Sequence, residues 1–443
     1  MKFISIISCK LSTFFLSLVG RGSSLPGTIA NILDKNILKK LELPKRIIVV
    51  TGSSGKGSTT KIIAHVLRES GFKVCHNEKG GNQKPGIITT LINASTLSGK
   101  AKSEIAVLEI DERSIKYILP IIHPTDVVIT NITRDQPPRQ KHINFIFEEI
   151  NKGLDKNMHL YLNANDPILT KFNLDDKFNV TYYSLDKTNN SYKDNIFNSL
   201  NYPRCPKCNG VLEYKFYHFE DLGEYKCTLC DYKIPKSKYK ITNFDDLHKT
   251  ITLDKKYKIN LNNDMLYNLF NTLAAYSVLR EYDIDSSFIC NSINTLNKNN
   301  KVFTKYKYHN REVFVLNNKC ENATTYNQSM LYTLKDNNMK TIVIGWKEIS
   351  RRYLWDDLSW LYDIEFELFN KQNIDRIIVA GPQRYDIAVR LKYAGIDENK
   401  VKIYKDLYEA SDEIKDSNGN LYAILNFDYV DDFNTVMGCL KWN

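Results

Sequence analysis

Short apolar runs that end in glycine or polar residues recur along the first part of the chain. The run Arg46–Thr51 is rich in β-branched residues, ends at Gly52 and precedes helical spacing from Thr60 to Ser70. Two similar runs, Ile105–Ile110 and Asp126–Thr130, also end at polar residues. Alternating strands and helices predict an α/β fold with a doubly wound parallel sheet, which carries its ligand-binding residues at the carboxyl ends of the strands.

The last part of the chain shows the same alternation. Strand-like runs lie at 341–345, 376–381, 401–404 and 422–426, and helix-like runs lie at 360–371, 385–394, 407–414 and 433–440. We therefore expect a second α/β unit with a mostly parallel, Rossmann-like sheet.

The stretch from Phe3 to Val19 is apolar, with a helical stripe at residues 4, 7, 11, 14, 15 and 19. Lys10 interrupts it, and it is too short to span a bilayer. We interpret it as an amphipathic helix that docks on the protein or lies on a membrane face. A cleaved signal peptide is the remaining alternative.

Composition indicates a globular protein of several domains. The chain has 443 residues, of which 42% are hydrophobic and 25% charged, and this excludes a mostly disordered chain. The net charge of +10 favours an anionic ligand or a membrane surface. Because no block of five like charges occurs, codon bias toward lysine and asparagine explains the charge equally well.

Four of the nine cysteines form two Cys-x-x-Cys pairs, Cys205/Cys208 and Cys227/Cys230, separated by 18 residues. This spacing predicts a tetrahedral Zn²⁺ site, which is structural because four thiolates leave no open position. The surrounding residues, about 202–236, read as a small inserted zinc ribbon. The stretch between the pairs has no excess of basic residues, which argues against nucleic-acid binding. The other five cysteines are scattered, as in a reducing cytoplasm.

The turn after the first strand is a candidate phosphate-binding loop. It consists of Gly52, Ser53, Ser54, Gly55, Lys56, Gly57, Ser58 and Thr59. Its glycines let backbone N–H groups face phosphates, and Lys56 would reach the β- and γ-phosphates. Since Gly57 follows the lysine, Ser58 or Thr59 must hold Mg²⁺. The alternative is a plain glycine and serine turn.

Three acidic residues follow the next predicted strand. Glu109 stands at its end, where a carboxylate completes a Mg²⁺ shell, although an exposed strand-end acid is the alternative. We interpret Asp111 and Glu112 as solvated acids at the start of a helix.

The loop resembles the ATP-binding loop of the Mur ligase family, in a variant also found in folylpolyglutamate synthases. Further blocks resemble the family in the same order, namely Gly81-Asn82, Gly86–Leu91, Leu108–Glu112, Thr130–Gln136, Leu162–Pro167 and Tyr267–Ala275. The four-cysteine insertion, the element Asp357-Leu-Ser-Trp360 with Asp363, and the block Gly381–Gly395 resemble the MurT family within it. The resemblance covers nearly the whole chain.

The resemblance implies an N-terminal helical segment at 1–44, a Mur ligase-type ATP-binding domain at 45–298 and a C-terminal domain at 299–443 that contacts a glutaminase. It implies ATP, Mg²⁺ and structural Zn²⁺ as cofactors, with Asn268 on the adenine side. The implied enzyme is a cytoplasmic carbon–nitrogen ligase of peptidoglycan biosynthesis at the inner membrane face, in contact with lipid II.

In the implied reaction, ATP phosphorylates the α-carboxylate of D-glutamate in the lipid II stem peptide. Ammonia from a GatD-like glutaminase then attacks the acyl phosphate and gives D-isoglutamine. Asp357 would complete the partner's Cys–His pair. The alternatives are a helix N-cap at Asp357 and, one position earlier, Asp356 in the same role.

Three positions depart from the pattern of many Mur ligases. Gly57 replaces a hydroxyl residue, and Gln136 stands where many members have histidine. The Gly-Arg pair with which the last domain usually begins is not found in Lys301–Lys305. A stand-alone Mur or folylpolyglutamate-type ligase and a non-catalytic nucleotide-binding scaffold therefore remain as alternative functions.

Overall fold

A computed structural model describes residues 1–18, 22–78, 80–135, 142–197, 204–263, 265–296, 303–319, 321–348 and 357–438. The described residues fall into two compact units. The first takes its residues from 1–132, 144–195 and 202–297, and the second from 133–143, 196–201 and 298–443.

The first unit contains a large mixed sheet and a separate hairpin. Its strands are β1 (Arg46–Thr51), β2 (Val74–His76), β3 (Ile105–Glu109), β4 (Asp126–Ile129), β5 (His159–Asn163), β6 (Asn179–Leu185), β7 (Leu212–Phe219), β8 (Leu222–Cys227), β9 (Tyr239–Asp245), β10 (Thr250–Leu253) and β11 (Tyr257–Asn260). The large sheet has the order β11-β10-β9-β6-β5-β4-β1-β3-β2 and is parallel from β2 to β9, with an antiparallel edge from β9 to β11. β7 and β8 form the hairpin.

The described helices of the first unit pack on the large sheet or on one another. They are α1 (Lys2–Ser17), α2 (Leu25–Leu33), α3 (Ile37–Lys40), α4 (Lys56–Glu69), α5 (Lys84–Asn93), α6 (Ile115–Ile122), α7 (Ile143–Asn151), α8 (Pro167–Thr170), α9 (Leu266–Arg280) and α10 (Ser286–Thr295). A 3-10 turn spans Lys171–Asn173. α9 is buried along most of its length and packs on α4, β5 and β6, so it is the central helix of this unit.

The second unit is a smaller α/β layer structure. Its strands are β12 (Phe303–Tyr308), β13 (Arg311–Asn318), β14 (Lys340–Gly345), β15 (Ile374–Ala380), β16 (Val401–Tyr404) and β17 (Asn420–Asn426), in the order β12-β13-β17-β14-β15-β16. All neighbours are parallel except the β12–β13 hairpin. Its helices are α11 (Ala323–Thr333), α12 (Arg384–Tyr393), α13 (Ser411–Asp416) and α14 (Val430–Val436), with 3-10 turns at Ser359–Asp363, Phe366–Lys371 and Glu398–Lys400.

The predicted α/β class, with mostly parallel sheets in both parts of the chain, is confirmed. The predicted helix over 360–371 is wrong, because two 3-10 turns replace it. Asn327 breaks the helix: its side chain donates to Asp363 O and accepts from Glu365 N. The last two helices are also displaced, since one begins only at Ser411 and the other begins earlier, at Val430.

α1 forms over the predicted residues as far as Ser17, and Val19 lies outside the described residues, but the packing of α1 differs from the expected docking through the apolar stripe. It packs against α2 and α5 through Ser5, Ile6 and Cys9, and most of the apolar stripe is exposed. Among the described residues, no helix is both long enough and apolar enough to cross a bilayer.

Candidate active site

The predicted phosphate loop lies between β1 and α4 and is held by the end of β4. Thr130 Oγ1 donates to Ser54 O at 2.6 Å, and the Asn131 side chain accepts from Ser54 N at 2.9 Å. The Asn131 amide also donates to Ser54 O at 3.0 Å. These bonds fix the backbone of the loop, because parallel strands β1 and β4 end at the same edge.

Lys56 is the first residue of α4 and is almost completely buried. Its ammonium donates to Gly52 O and forms an ion pair with Glu112, at 3.0 Å between Nζ and Oε1. Glu112 is 1% exposed and Asp111 is 5% exposed, so the interpretation of both as solvated helix-start acids is wrong. A carboxylate at this depth needs a cationic partner, and Lys56 supplies it.

Glu109 lies at the end of β3 and is fixed by two asparagines. Asn77 exchanges two 2.8 Å hydrogen bonds with the backbone of Glu109, and Asn82 Nδ2 donates to its Oε1 at 2.9 Å. A Cβ on Gly57 would lie 3.2 Å from Glu109 Oε2. The carboxylate is therefore directed at the first turn of α4, and the small residue at position 57 leaves room for it.

Two hydroxyls follow Gly57 in this turn. Ser58 is exposed, whereas Thr59 is buried and its Oγ1 has no hydrogen-bond partner among the described residues. A hard cation prefers oxygen ligands of this kind, so the hydroxyls and the Glu109 carboxylate fit Mg²⁺ bound beside nucleotide phosphates. Of these two candidate Mg²⁺ ligands, the Thr59 hydroxyl is the more protected from solvent and the Ser58 hydroxyl is the more accessible.

The loop backbone requires glycine at two positions. Gly52 has φ +128° and Gly55 has φ +79°, and a Cβ on Gly55 would lie 2.2 Å from Asn271 Oδ1. α9 therefore reaches the loop through Asn271. Asn268, the predicted adenine-side residue, is half-buried on the same helix and donates to Asn263 O at 3.0 Å.

The four paired cysteines come together. Their Sγ atoms all lie within 4.8 Å of one another, with Cys205–Cys230 at 3.7 Å and Cys208–Cys227 at 3.4 Å. A tetrahedral site with Zn–S bonds of about 2.3 Å places its sulfurs roughly 3.8 Å apart, so the cluster fits Zn²⁺.

The ribbon is attached to the segment that follows β5. Tyr225 Oη donates to Ala164 O and Tyr232 Oη donates to Pro167 O, both at 3.0 Å. Asn165 exchanges backbone and side-chain hydrogen bonds with Gly223. The hairpin thus contacts the β5 segment directly, and its small apolar core lies beside the cysteines.

In the second unit, Asp357 precedes the 3-10 turn Ser359–Asp363. Its carboxylate accepts from Ser359 N at 2.9 Å and from the Ser359 hydroxyl at 2.5 Å, so it forms an Asx turn just before the 3-10 turn, whose N-cap is Leu358. Arg134 bonds to Ser359 Oγ at 2.5 Å and to Asp363 at 2.6 Å. Burial raises the pKa of Asp363 above its ordinary value, and Arg134 opposes this shift.

The segment 133–135 is also held in the second unit. Asp135 is buried and pairs with Lys319, and it accepts from Asn322 Nδ2 at 3.1 Å. Gln136, Asp356 and residues 301–302 lie outside the described residues.

Several residues of the site were not singled out from the sequence as site residues. Asn77, Asn82 and Glu112 hold Glu109 or Lys56, Asn271 contacts the loop, and Arg134 joins the Asp357 element. Four of these five residues carried a signal, since Asn82, Glu112, Arg134 and Asn271 lie within the sequence blocks that resemble the Mur ligase family, and only Asn77 lies outside them.

Family comparisons agree with both units. Residues 50–204 match the family model described as Mur ligase middle domain, and residues 320–429 match the model described as MurT ligase C-terminal. The chain is 32% identical over 412 residues to "Lipid II isoglutaminyl synthase (glutamine-hydrolyzing) subunit MurT" of Staphylococcus aureus (strain COL), covering 92% of this chain and 91% of that protein. The protein of the same name from Streptococcus pneumoniae (strain ATCC BAA-255 / R6) is 30% identical, covering 90% and 88%.

Solved structures share the fold. A pseudomurein peptide ligase type C from Methanothermus fervidus aligns with a TM-score of 0.69 and 20% identity, covering 94% of this chain and 84% of that chain. A MurF ligase from Thermotoga maritima in complex with ADP aligns with a TM-score of 0.58 and 16% identity, covering 93% and 82%.

Gly55→Ala tests the loop geometry. We expect a fall in ATP affinity of about tenfold or more, because the added Cβ meets Asn271 and φ is positive. Gly71→Ala is the matched control, since Gly71 also has a positive φ but no neighbour within 4 Å. Titration with a fluorescent ATP analogue, alongside thermal unfolding, measures both. Equal ATP affinity in both variants would contradict the assignment of the loop.

Proposed function

The chain belongs to the MurT family of Mur ligase-like proteins, and we propose that it is the ligase subunit of a lipid II isoglutaminyl synthase. The observation that carries the proposal is the match to MurT relatives over about nine-tenths of the chain, through both units. The proposed substrates are ATP, ammonia and the D-glutamate α-carboxylate of the lipid II stem peptide. The product is D-isoglutamine.

The reaction needs an activated carboxyl group. A carboxylate oxygen attacks the γ-phosphorus of ATP, the bond to the ADP oxygen breaks, and an acyl phosphate forms. Ammonia then attacks the acyl carbon, the C–N bond forms, phosphate leaves and the nitrogen loses a proton. Phosphoryl transfer of this kind depends on positioning and on stabilising charge.

In the proposal, the chain's own residues supply both the positioning and the charge stabilisation. Lys56 stabilises charge on the transferring phosphoryl group, and Glu112 keeps its ammonium in place. The loop backbone binds the phosphates, while Glu109 with Ser58 or Thr59 would hold Mg²⁺, which would neutralise phosphate charge when bound. Asn268 and Asn271 lie on α9, the helix that we assign to the adenine side.

We place the glutaminase beside Asp357. This carboxylate is partly exposed and, through the neighbouring Leu358, lies beside the exposed side chains of Tyr362, Tyr385 and Val389. A cavity of about 170 Å³ is lined there by Leu358, Leu361 and α12 residues. Exposed aromatic side chains are typical of protein interfaces. Because the substrate is lipid-linked, we place the enzyme at the inner membrane face.

Reconstitution tests the function. The purified chain, a GatD-like glutaminase, ATP, glutamine and lipid II should give a stem peptide lighter by about one mass unit, since NH₂ replaces OH. Activity with a free amino acid and no glutaminase would instead indicate the stand-alone ligase.

Lys56→Met should lower ATP-dependent amidation by about 10²- to 10³-fold, because a charge-stabilising group is lost. Lys61→Met, on the exposed side of the same helix, is the control. Since Glu112 loses its partner, Lys56→Met/Glu112→Gln is measured in parallel, with circular dichroism to check folding. Unchanged amidation in a folded double variant would contradict the role of Lys56 and would favour the alternative of a non-catalytic nucleotide-binding scaffold.

Asp357→Asn separates the two half-reactions. The amide oxygen still accepts from Ser359, so the turn should persist, but the charge that orients the partner's histidine is lost. Glutamine-dependent amidation should fall about 10²-fold or more, while amidation with added ammonium chloride stays normal. Asp412→Asn, an exposed acid on α13, serves as the control. Loss of both activities would argue against this role.

We propose that the four cysteines hold one structural zinc ion. Elemental analysis should find about one zinc per chain, and Cys208→Ala/Cys230→Ala should lose it and lower the thermal midpoint, because the hairpin core is thin. Cys290→Ala should keep the metal. Full zinc content in the double variant would refute the assignment.

A further inference from the structure

Most apolar side chains of helix α1 face away from the rest of the protein. A helix that packs only on its own protein would turn them inward. With 100° per residue, Phe3, Ile4, Ile7, Leu11, Phe14, Phe15 and Leu18 fall within an arc of about 120°. Six of these seven are more than half exposed, and Phe14 and Leu18 reach 62% and 72%. Leu25 and Ile32 of α2 are also exposed.

The other side of α1 carries mostly small and polar residues together with Ile6, and it is this side that packs. Ser5 and Cys9 are buried, and Thr13 Oγ1 accepts from Asn93 Nδ2 at 3.1 Å. Lys10 Nζ donates to Ser95 O at 2.8 Å, which fastens the helix to the end of α5. These contacts fix the rotation of α1, so the apolar arc is held outward.

The charge of this N-terminal segment favours an anionic partner. Residues 1–33 contain Lys2, Lys10 and Arg21 but no aspartate or glutamate. Lys100 and Lys102, both exposed, follow α5, and Lys2 lies against Gly99. An exposed aromatic and aliphatic face with cationic neighbours complements an anionic lipid surface.

A cavity lies between α1 and Asn77, a residue that holds Glu109. It has a volume of about 370 Å³ and is lined by Thr13 and Ser17 of α1 and by Asn77 and Gly81. Asn77 holds the backbone of Glu109. The cavity thus lies on the side of α1 that is opposite to the outward-facing apolar arc.

We propose that the apolar arc of α1, extended by Leu25 and Ile32, is a membrane-docking surface that lies in the interface of an anionic bilayer. The choice of lipid over a soluble partner rests in part on the proposed function, whose substrate carries a lipid tail. Docking there brings the cavity, and through it the edge of the sheet near Glu109, close to a substrate anchored in the same membrane.

The test is sedimentation of the ligase–glutaminase complex with vesicles of equal parts phosphatidylcholine and phosphatidylglycerol, and with phosphatidylcholine alone. Phe14→Ser/Leu18→Ser should weaken binding to the anionic vesicles by about tenfold or more. Leu247→Ser is the control, because Leu247 is 83% exposed in the β9–β10 turn. Since both variants change exposed residues, their thermal midpoints should equal that of the unchanged chain.

Activity separates this inference from the proposed function. The double variant should amidate a water-soluble stem-peptide substrate normally and vesicle-embedded lipid II poorly. Undiminished vesicle binding by the double variant would overturn the inference, as would loss of glutaminase binding or conversion of a dimer into monomers. If the unchanged complex binds vesicles but amidates neither substrate, the proposed function fails and the docking surface stands.

Discussion

A buried ammonium at the carboxyl edge of the first sheet constrains its surroundings. Burying Lys56 without a counter-charge would be costly, so Glu112 must lie within reach of it. The pairing of β3 with β1 provides this, because Val50 is opposite Glu109 and Ile110 N bonds to Val50 O. The same register that directs Glu109 at the first turn of α4 therefore brings Glu112, three residues later, to the base of the loop. Two acids close together in sequence thus take different positions and different roles.

The inserted ribbon supports this edge from another strand. Its hairpin has too few buried aliphatic residues to fold strongly alone, which is why four cysteines at metal-binding distance matter. In return, Tyr225, Tyr232 and Gly223 hold the segment after β5 through hydrogen bonds to its backbone. Asp166 in this segment caps α8, and its burial raises its pKa above the ordinary range. The insertion therefore helps to fix the conformation of a loop of the main sheet.

The features that were predicted correctly are those determined by residues close together in the sequence. The strand, glycine turn and helix around Lys56 are specified within the continuous segment Arg46–Glu69, and the predicted strand β16, Val401–Tyr404, has the predicted bounds. Features set by distant residues were missed. The helix predicted at 360–371 fails because Asn327 and Arg390 bond to backbone groups that helical turns would use. Burial of Glu112 depends on strand register, and the contact of Asn271 with Gly55 depends on how α9 crosses α4. Neither has a signal in sequence spacing.

Helix α1 shows the same limit most clearly. Its periodicity establishes an amphipathic helix but does not say which side meets the protein. In a soluble protein the apolar side normally packs inward, and that expectation is reversed here. Serine, cysteine and threonine side chains are small enough to let α1 approach α5 closely, and Lys10 and Thr13 provide directional hydrogen bonds there. An inward apolar arc would leave those polar groups without these partners and would separate the helices. The polar contacts thus decide the orientation, and the exposed arc is its consequence, available to a partner that accepts apolar side chains without hydrogen bonds.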